Sequence, residues 1–130
     1  MTTTDNTIAN PQTKPHALIA SDRVEGTTVR RRNGDKAGTI QRLMIDKVSG
    51  NVAYAVLSFG GFLGMGEKHL PIPWTRLKYD PMIEAYAVDL TDDELAQAPS
   101  YAADKDFDWG DRSQEERLHD YYRARPYWGI

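Results

Sequence analysis

Residues 58–74 read SFGGFLGMGEKHLPIPW, and how this stretch is understood decides both fold and function. Four glycines fall within seven residues, Gly60, Gly61, Gly64 and Gly66, and Lys68 follows closely. Such a composition invites a phosphate-binding reading. A phosphate loop, however, needs G-x-x-x-x-G-K-[ST] between a strand and a helix, so that N–H groups and a helix N-terminus converge on the anion. Here Lys68 follows Glu67, His69 follows Lys68, and the next residues, KHLPIPW, read as a strand. The stretch is therefore a hairpin, and Phe62, Leu63 and Met65 at its tip are suited to contact with another protein. Proline cannot donate to a ladder, so Pro71 and Pro73 place the returning strand at an edge or at a sharp corner. Trp74 beside that corner reads as core.

Towards the N-terminus the pattern is that of short strands and tight turns. TTVRRR and AGTIQRLMID flank NGDK, where Asn33-Gly34 accepts the positive φ of a hairpin turn. A second hairpin joins TIQRLMID to NVAYAVLSF through KVSG, with Ser49-Gly50-Asn51 at the bend. In the strand from Asn51, Val52, Tyr54, Val56 and Ser58 share one face, and Ala53, Ala55, Leu57 and Phe59 the other. Both faces are largely apolar, which predicts a central strand covered on its second side by a helix or a partner. Residues 1–16 are rich in Thr, Asn and Pro and are expected to be a flexible arm.

Towards the C-terminus, RLKYD and AYAVDL form a last hairpin across PMIE. TDDELAQAP is a short helix, with Thr91 and Glu94 as a capping box and Pro99 as its stop. The acidic stretch SYAADKDFDWGD precedes SQEERLHDYYRA, a second helix with Ser113 and Glu116 as its expected capping box. Leu118, Tyr121 and Tyr122 give it an apolar stripe too thin to fold alone, so it must dock on the barrel or on another chain.

At 130 residues the chain holds one domain with tails, and its 40% hydrophobic content agrees with polar ends around a single core. The net charge of −3 supplies no general attraction to nucleic acid or anionic membrane. The absence of cysteine excludes disulfides, thiolate zinc sites and cysteine nucleophiles. No stretch reaches the ~18 apolar residues of a membrane span, and the N-terminus lacks the plan of a secretory signal. The expectation is a soluble, cytoplasmic protein.

The series GTIQRLMIDKVSGNVAYAVLSFGGFLGMGEKHLPIPWTRLKY resembles the PRC-barrel domain family. The features that carry the likeness are Gly38 opening a strand that ends at Asp46, then Ser49-Gly50, and Tyr54-x-Val56-x-Ser58-x-Gly60-Gly61. Phe62-Leu63-Gly64 and Pro71-x-Pro73-Trp74 complete them. The likeness runs from about Leu18 to Ala98. It implies a mainly β fold: a small, strongly bent antiparallel β-barrel acting as a protein-interaction platform, without general catalytic residues. The family takes in the cytoplasmic domain of the photosynthetic reaction-centre H subunit and the C-terminal domain of the ribosome maturation factor RimM. This chain matches a stand-alone member, with a barrel over residues 17–98 and an acidic, helical, aromatic extension over 99–130.

Candidate sites follow from these segments. Phe62, Leu63 and Met65, with Tyr121, Tyr122, Tyr127 and Trp128 of the C-terminal arm, are the expected protein-interaction residues, since Tyr, Trp and Arg types anchor interfaces. Arg30, Arg31 and Arg32 are the one dense basic run; on a strand they alternate faces, and they mark the alternative, an RNA-processing or ribosome-associated role. Asp104, Asp106, Asp108 and Glu115 occupy positions 1, 3, 5 and 12 of a calcium-loop template, but Trp109 stands where that template needs glycine. Asp92 and Asp93 are explained by their helix N-terminus. His16, His69 and His119 have no metal-ligand spacing. No cofactor and no catalytic residue is assigned, and the expected assembly is a homodimer, with a further protein partner left unnamed.

Overall fold

The computed structural model describes residues 17–31, 33–60, 67–102 and 105–128. Its elements in chain order are α1 (Ser21–Val24), β1 (Thr28–Arg30), β2 (Lys36–Ile45), β3 (Val52–Gly60) and β4 (Glu67–Pro73), a 3-10 turn at Trp74–Arg76, then β5 (Leu77–Asp80), β6 (Ala85–Val88), α2 (Asp92–Gln97), β7 (Tyr101–Ala102) and α3 (Arg112–Tyr122).

Local chemistry sets the hairpins. Gly34 takes φ +92° between β1 and β2, where Asn33 Oδ1 accepts from the Asp35 N–H at 2.9 Å. Gly50 takes φ +81° between β2 and β3, and Asp46 braces that bend by accepting from Val48 N–H and the Ser49 hydroxyl. Asp80 Oδ1 accepts from Met82 N–H at 2.9 Å at the β5–β6 turn. The Thr91–Glu94 capping box of α2 is formed in both directions. For α3 the cap differs from the expected one. Asp111, not Ser113, is the N-cap, its Oδ1 accepting from Ser113 N–H at 3.0 Å. A carboxylate two residues earlier starts the helix there, accepts from both the N–H and the hydroxyl of Ser113, and adds a negative charge at the positive end of the helix.

The strands form one seven-stranded sheet in the order β5-β6-β1-β2-β3-β4-β7. The antiparallel barrel expected from the sequence is corrected: β1 and β6 run parallel, Val29 facing Tyr86 and Arg30 facing Ala87, and among the described residues the sheet does not close on itself. The Pro71–Pro73 corner explains this. β4 passes through the 3-10 turn into β5 without a hairpin reversal, so the β5–β6 pair comes round to β1 with parallel polarity. The sheet is therefore mixed, with β5 and β7 as its ends among the described residues. Register breaks between Val29 and Arg30, Ile40 and Arg42, and Met44 and Ile45 mark the bulges that bend it. The prolines of β4 are tolerated because β7 pairs only with Lys68 and His69, leaving the outer edge beyond them without ladder partners among the described residues.

β3 is the centre. Tyr54, Ala55, Val56 and Leu57 are all buried, so both of its faces are covered, as the two apolar faces in the sequence require. Ile40, Leu70, Ile72, Val29 and Val88 complete the core beside it. At Gly38 the backbone of β3 leaves no room for a side chain: a Cβ there would lie 2.8 Å from the Ser58 carbonyl oxygen. The obstacle is backbone, which cannot swing away. Gly38→Ala is accordingly expected to lower stability by about 1–3 kcal/mol, measured as a shift in the urea midpoint with unchanged slope.

Candidate interaction surface and its support

Helix α3 is seated on the Tyr54 face of β3 by a polar contact set within an apolar frame. Its buried residues are Glu115, Leu118, His119 and Tyr122, an i, i+3, i+4, i+7 pattern that makes a single stripe. The Tyr54 hydroxyl donates towards Glu115 Oε1 at 2.9 Å and lies 2.7 Å from His119 Nε2. On the other side of the imidazole, Nδ1 stands 3.1 Å from the Ala124 carbonyl oxygen and donates to it, since a carbonyl only accepts. In the neutral ring this leaves Nε2 as an acceptor facing the phenol, so His119 Nε2 and Glu115 Oε1 share the single Tyr54 proton. Burial pushes the Tyr54 hydroxyl far up from its ordinary value, with the Glu115 carboxylate adding to the effect. Burial also draws the His119 imidazole down, opposed by the Ala124 carbonyl and the Glu115 charge.

Glu115 is nearly inaccessible, and its charge is answered by Arg112 Nε at 3.5 Å one turn earlier. The same guanidinium lies 3.9 Å from the centre of the Trp128 ring. Arg123 ends the helix in the left-handed region at φ 54°, and the chain then turns back, placing Tyr127 edge-on to Tyr54 and Trp128 edge-on to His119. Trp109 packs on Tyr54 from the linker, with Phe107 beside it. Tyr121 donates to the Glu94 carbonyl of α2, and Arg76 Nε donates to the Tyr122 carbonyl at 3.1 Å. The aromatic arm is thus closed over its own sheet.

The positions singled out from the sequence fall as follows. Phe62, Leu63 and Met65 lie outside the described residues. They are carried between Gly60 and Glu67, which face each other across the β3–β4 ladder. Lys68 lies within the strand β4, where phosphate binding needs the start of a helix. Ser58 donates to the Glu67 carboxylate at the base of this connection, and His69 packs edge-on to Tyr101. Arg30 donates to the Gly34 carbonyl at 3.0 Å, Arg31 Nε stands 3.4 Å from Asp92 Oδ1, and Arg32 lies outside the described residues. Arg31 and Asp92 border a cavity of about 200 Å³ that is otherwise walled by Leu57, Phe59, Leu70 and Leu95. Asp104 lies outside the described residues, Asp106 and Asp108 are exposed, and Glu115 is on Tyr54. Among the described residues no three His, Asp or Glu side chains gather as a metal site. Trp74 is half-buried against Tyr86, with ring centres 5.3 Å apart.

One grouping was not anticipated. Strand directions put the β2–β3 turn and the β5–β6 turn at the same end of the sheet, away from α2 and the β1–β2 turn. Exposed large apolar residues collect at that end: Ile45, Val48, Tyr79, Met82 and Ile83, with Val48 96% and Met82 89% accessible. The signal was present in the sequence as Met82 and Ile83 within the turn PMIE, the same kind of apolar turn tip as Phe62-Leu63.

Residues 17–95, more than half of the chain, match the PRC-barrel domain, and the protein belongs to that family. No curated protein matches it. Among the described residues no helix is long and apolar enough to cross a membrane.

The two buried tyrosines of the α3 seat make opposite predictions. Tyr54→Phe removes the proton that Glu115 and His119 share, leaving both buried and under-satisfied, and is expected to cost about 1–3 kcal/mol. The Tyr122 hydroxyl is buried with no hydrogen-bond partner among the described residues. Tyr122→Phe is therefore expected to be neutral or stabilising. Thermal melts of the two variants beside the wild type check the contrast, and equal losses would refute it.

Proposed function

We propose that this protein is a non-enzymatic interaction module whose partners include a second copy of itself. The observation that carries the reading is the apolar end of the sheet. Side chains such as Val48 and Met82 are left in water by the fold, and five of the exposed large apolar residues, Ile45, Val48, Tyr79, Met82 and Ile83, belong to this end or to the strand beside it. Large apolar groups left exposed at one end of a folded sheet favour a contact site, and methionine adapts to irregular partners. Phe62, Leu63 and Met65 remain part of the proposal as a second apolar turn. The C-terminal aromatics take a different part: Tyr122, Tyr127 and Trp128 pack within the chain and hold the platform rigid.

Protein contact is favoured over RNA or ribosome association because Arg30 and Arg31 are engaged by Gly34 and Asp92 within the chain. An arginine charge answered by a carboxylate, as Arg31 is by Asp92, contributes less to a phosphate-binding field, and the net charge of −3 adds no general attraction.

Sedimentation equilibrium separates the surfaces. The wild type is expected above the monomer mass of 14.7 kDa. Met82→Asp/Ile83→Asp is expected to return it to the monomer with little change in melting temperature, since both residues are exposed in the folded chain. Loss of association only in Leu63→Asp/Met65→Asp would move the contact to the other turn. A wild-type monomer at every concentration would overturn self-association.

A further inference from the structure

β5 is an end strand: among the described residues, Leu77–Asp80 pair with β6 alone. Alternate residues of such a strand turn N–H and C=O groups outward with no ladder partner, a template for another strand. Edge lysines usually block that template, and Lys78 is exposed here. The sequence of this edge changes the outcome, because Asp80 follows two residues later on the same face.

The geometry points to a second copy of this chain as the occupant. We propose that β5 pairs antiparallel with β5 of another copy about a two-fold axis at Tyr79. In that register Lys78 faces the partner's Asp80, Asp80 faces the partner's Lys78, and the two Tyr79 residues face each other on the opposite side. Each lysine is then neutralised rather than obstructive, and opposite charges directly across a ladder are favourable. A parallel, in-register pairing would set lysine against lysine and is disfavoured by the same rule.

The side chains are ready for this arrangement. Lys78 has no ion-pair partner among the described residues. Asp80 uses Oδ1 to hold Met82 N–H, which orients the carboxylate while its second oxygen stays available. Tyr79 is 46% accessible, and its ring is steadied edge-on against Tyr86 at 5.1 Å. Met82 and Ile83 lie just beyond the strand, so the register carries each apolar turn towards the partner's Trp74–Arg76 corner. Three paired residues from each strand and two turns make a small interface, at the low end of stable complexes, so the dimer is expected to depend on concentration.

This inference rests on the self-association reading and assigns it a register, which charge exchange can test alone. Sedimentation velocity is run on the wild type, on Lys78→Asp, on Asp80→Lys, on the double exchange, and on a mixture of the two single variants. Each single variant places like charges opposite one another in its own dimer, and its dissociation constant is expected to rise roughly tenfold or more. The double exchange restores both pairs and is expected to dimerise as the wild type does. The mixture is expected to form a heterodimer, since aspartates on one chain meet lysines on the other. That recovery also guards against reading misfolding as lost contact, because misfolded chains would not recover on mixing. If the wild type dimerises and the single variants dimerise equally well, the β5 edge is wrong and self-association stands. If the single variants dissociate but neither the double exchange nor the mixture recovers, the reciprocal pairing is wrong. A wild-type monomer throughout removes both readings.

Discussion

The structure depends on one junction, where the hydroxyl of Tyr54 meets Glu115 and His119 of α3. β3 is apolar on both faces, and a strand of that kind cannot remain in an open sheet with one side in water. Helix α3 supplies the missing cover, yet its stripe contains a carboxylate and an imidazole. Burying those groups without partners would cost several kcal/mol. Tyr54 makes the burial tolerable, with Arg112 balancing the carboxylate and the Ala124 carbonyl holding the imidazole. The polar contacts also fix which way the helix lies, something that apolar packing alone specifies poorly. Sheet and C-terminal extension are therefore one folding unit, although the family match ends at residue 95.

That unit has two ends of different character. One carries α2, the Arg31–Asp92 pair and the base of the glycine-rich connection. The other presents Ile45, Val48, Met82 and Ile83 to solvent, beside an end strand whose charges complement themselves. The proposed interaction role rests on that apolar end, since recognition asks for a fixed surface.

Much of this was legible because it is local. Gly34 and Gly50 announce their turns through the φ they must adopt, and Thr91 with Glu94 announces a helix start over four residues. The two apolar faces of β3 forecast its central place. What the sequence hid depends on distant partners. The parallel pairing of β1 with β6 follows from how β4 turns its corner, and no residue of β1 records it. Ser113 looked like the cap of α3, but Asp111 is close enough to compete and carries charge. Glu115 fitted a calcium template by spacing; its place against a phenol 61 positions away has no local signature. The apolar end was half visible in PMIE, while its union with Ile45 and Val48 required knowing which turns share an end of the sheet.

The claim that sheet and extension form one cooperative unit is tested most directly by native-state hydrogen exchange. The account predicts that the slowest amides of α3, around Leu118 and Tyr122, exchange with the same free energy as those of β3, through global unfolding. Protection of α3 that is lost well below the global value, with β3 still protected, would mean that the extension opens by itself. In that case Tyr54 would not be the junction on which the fold depends.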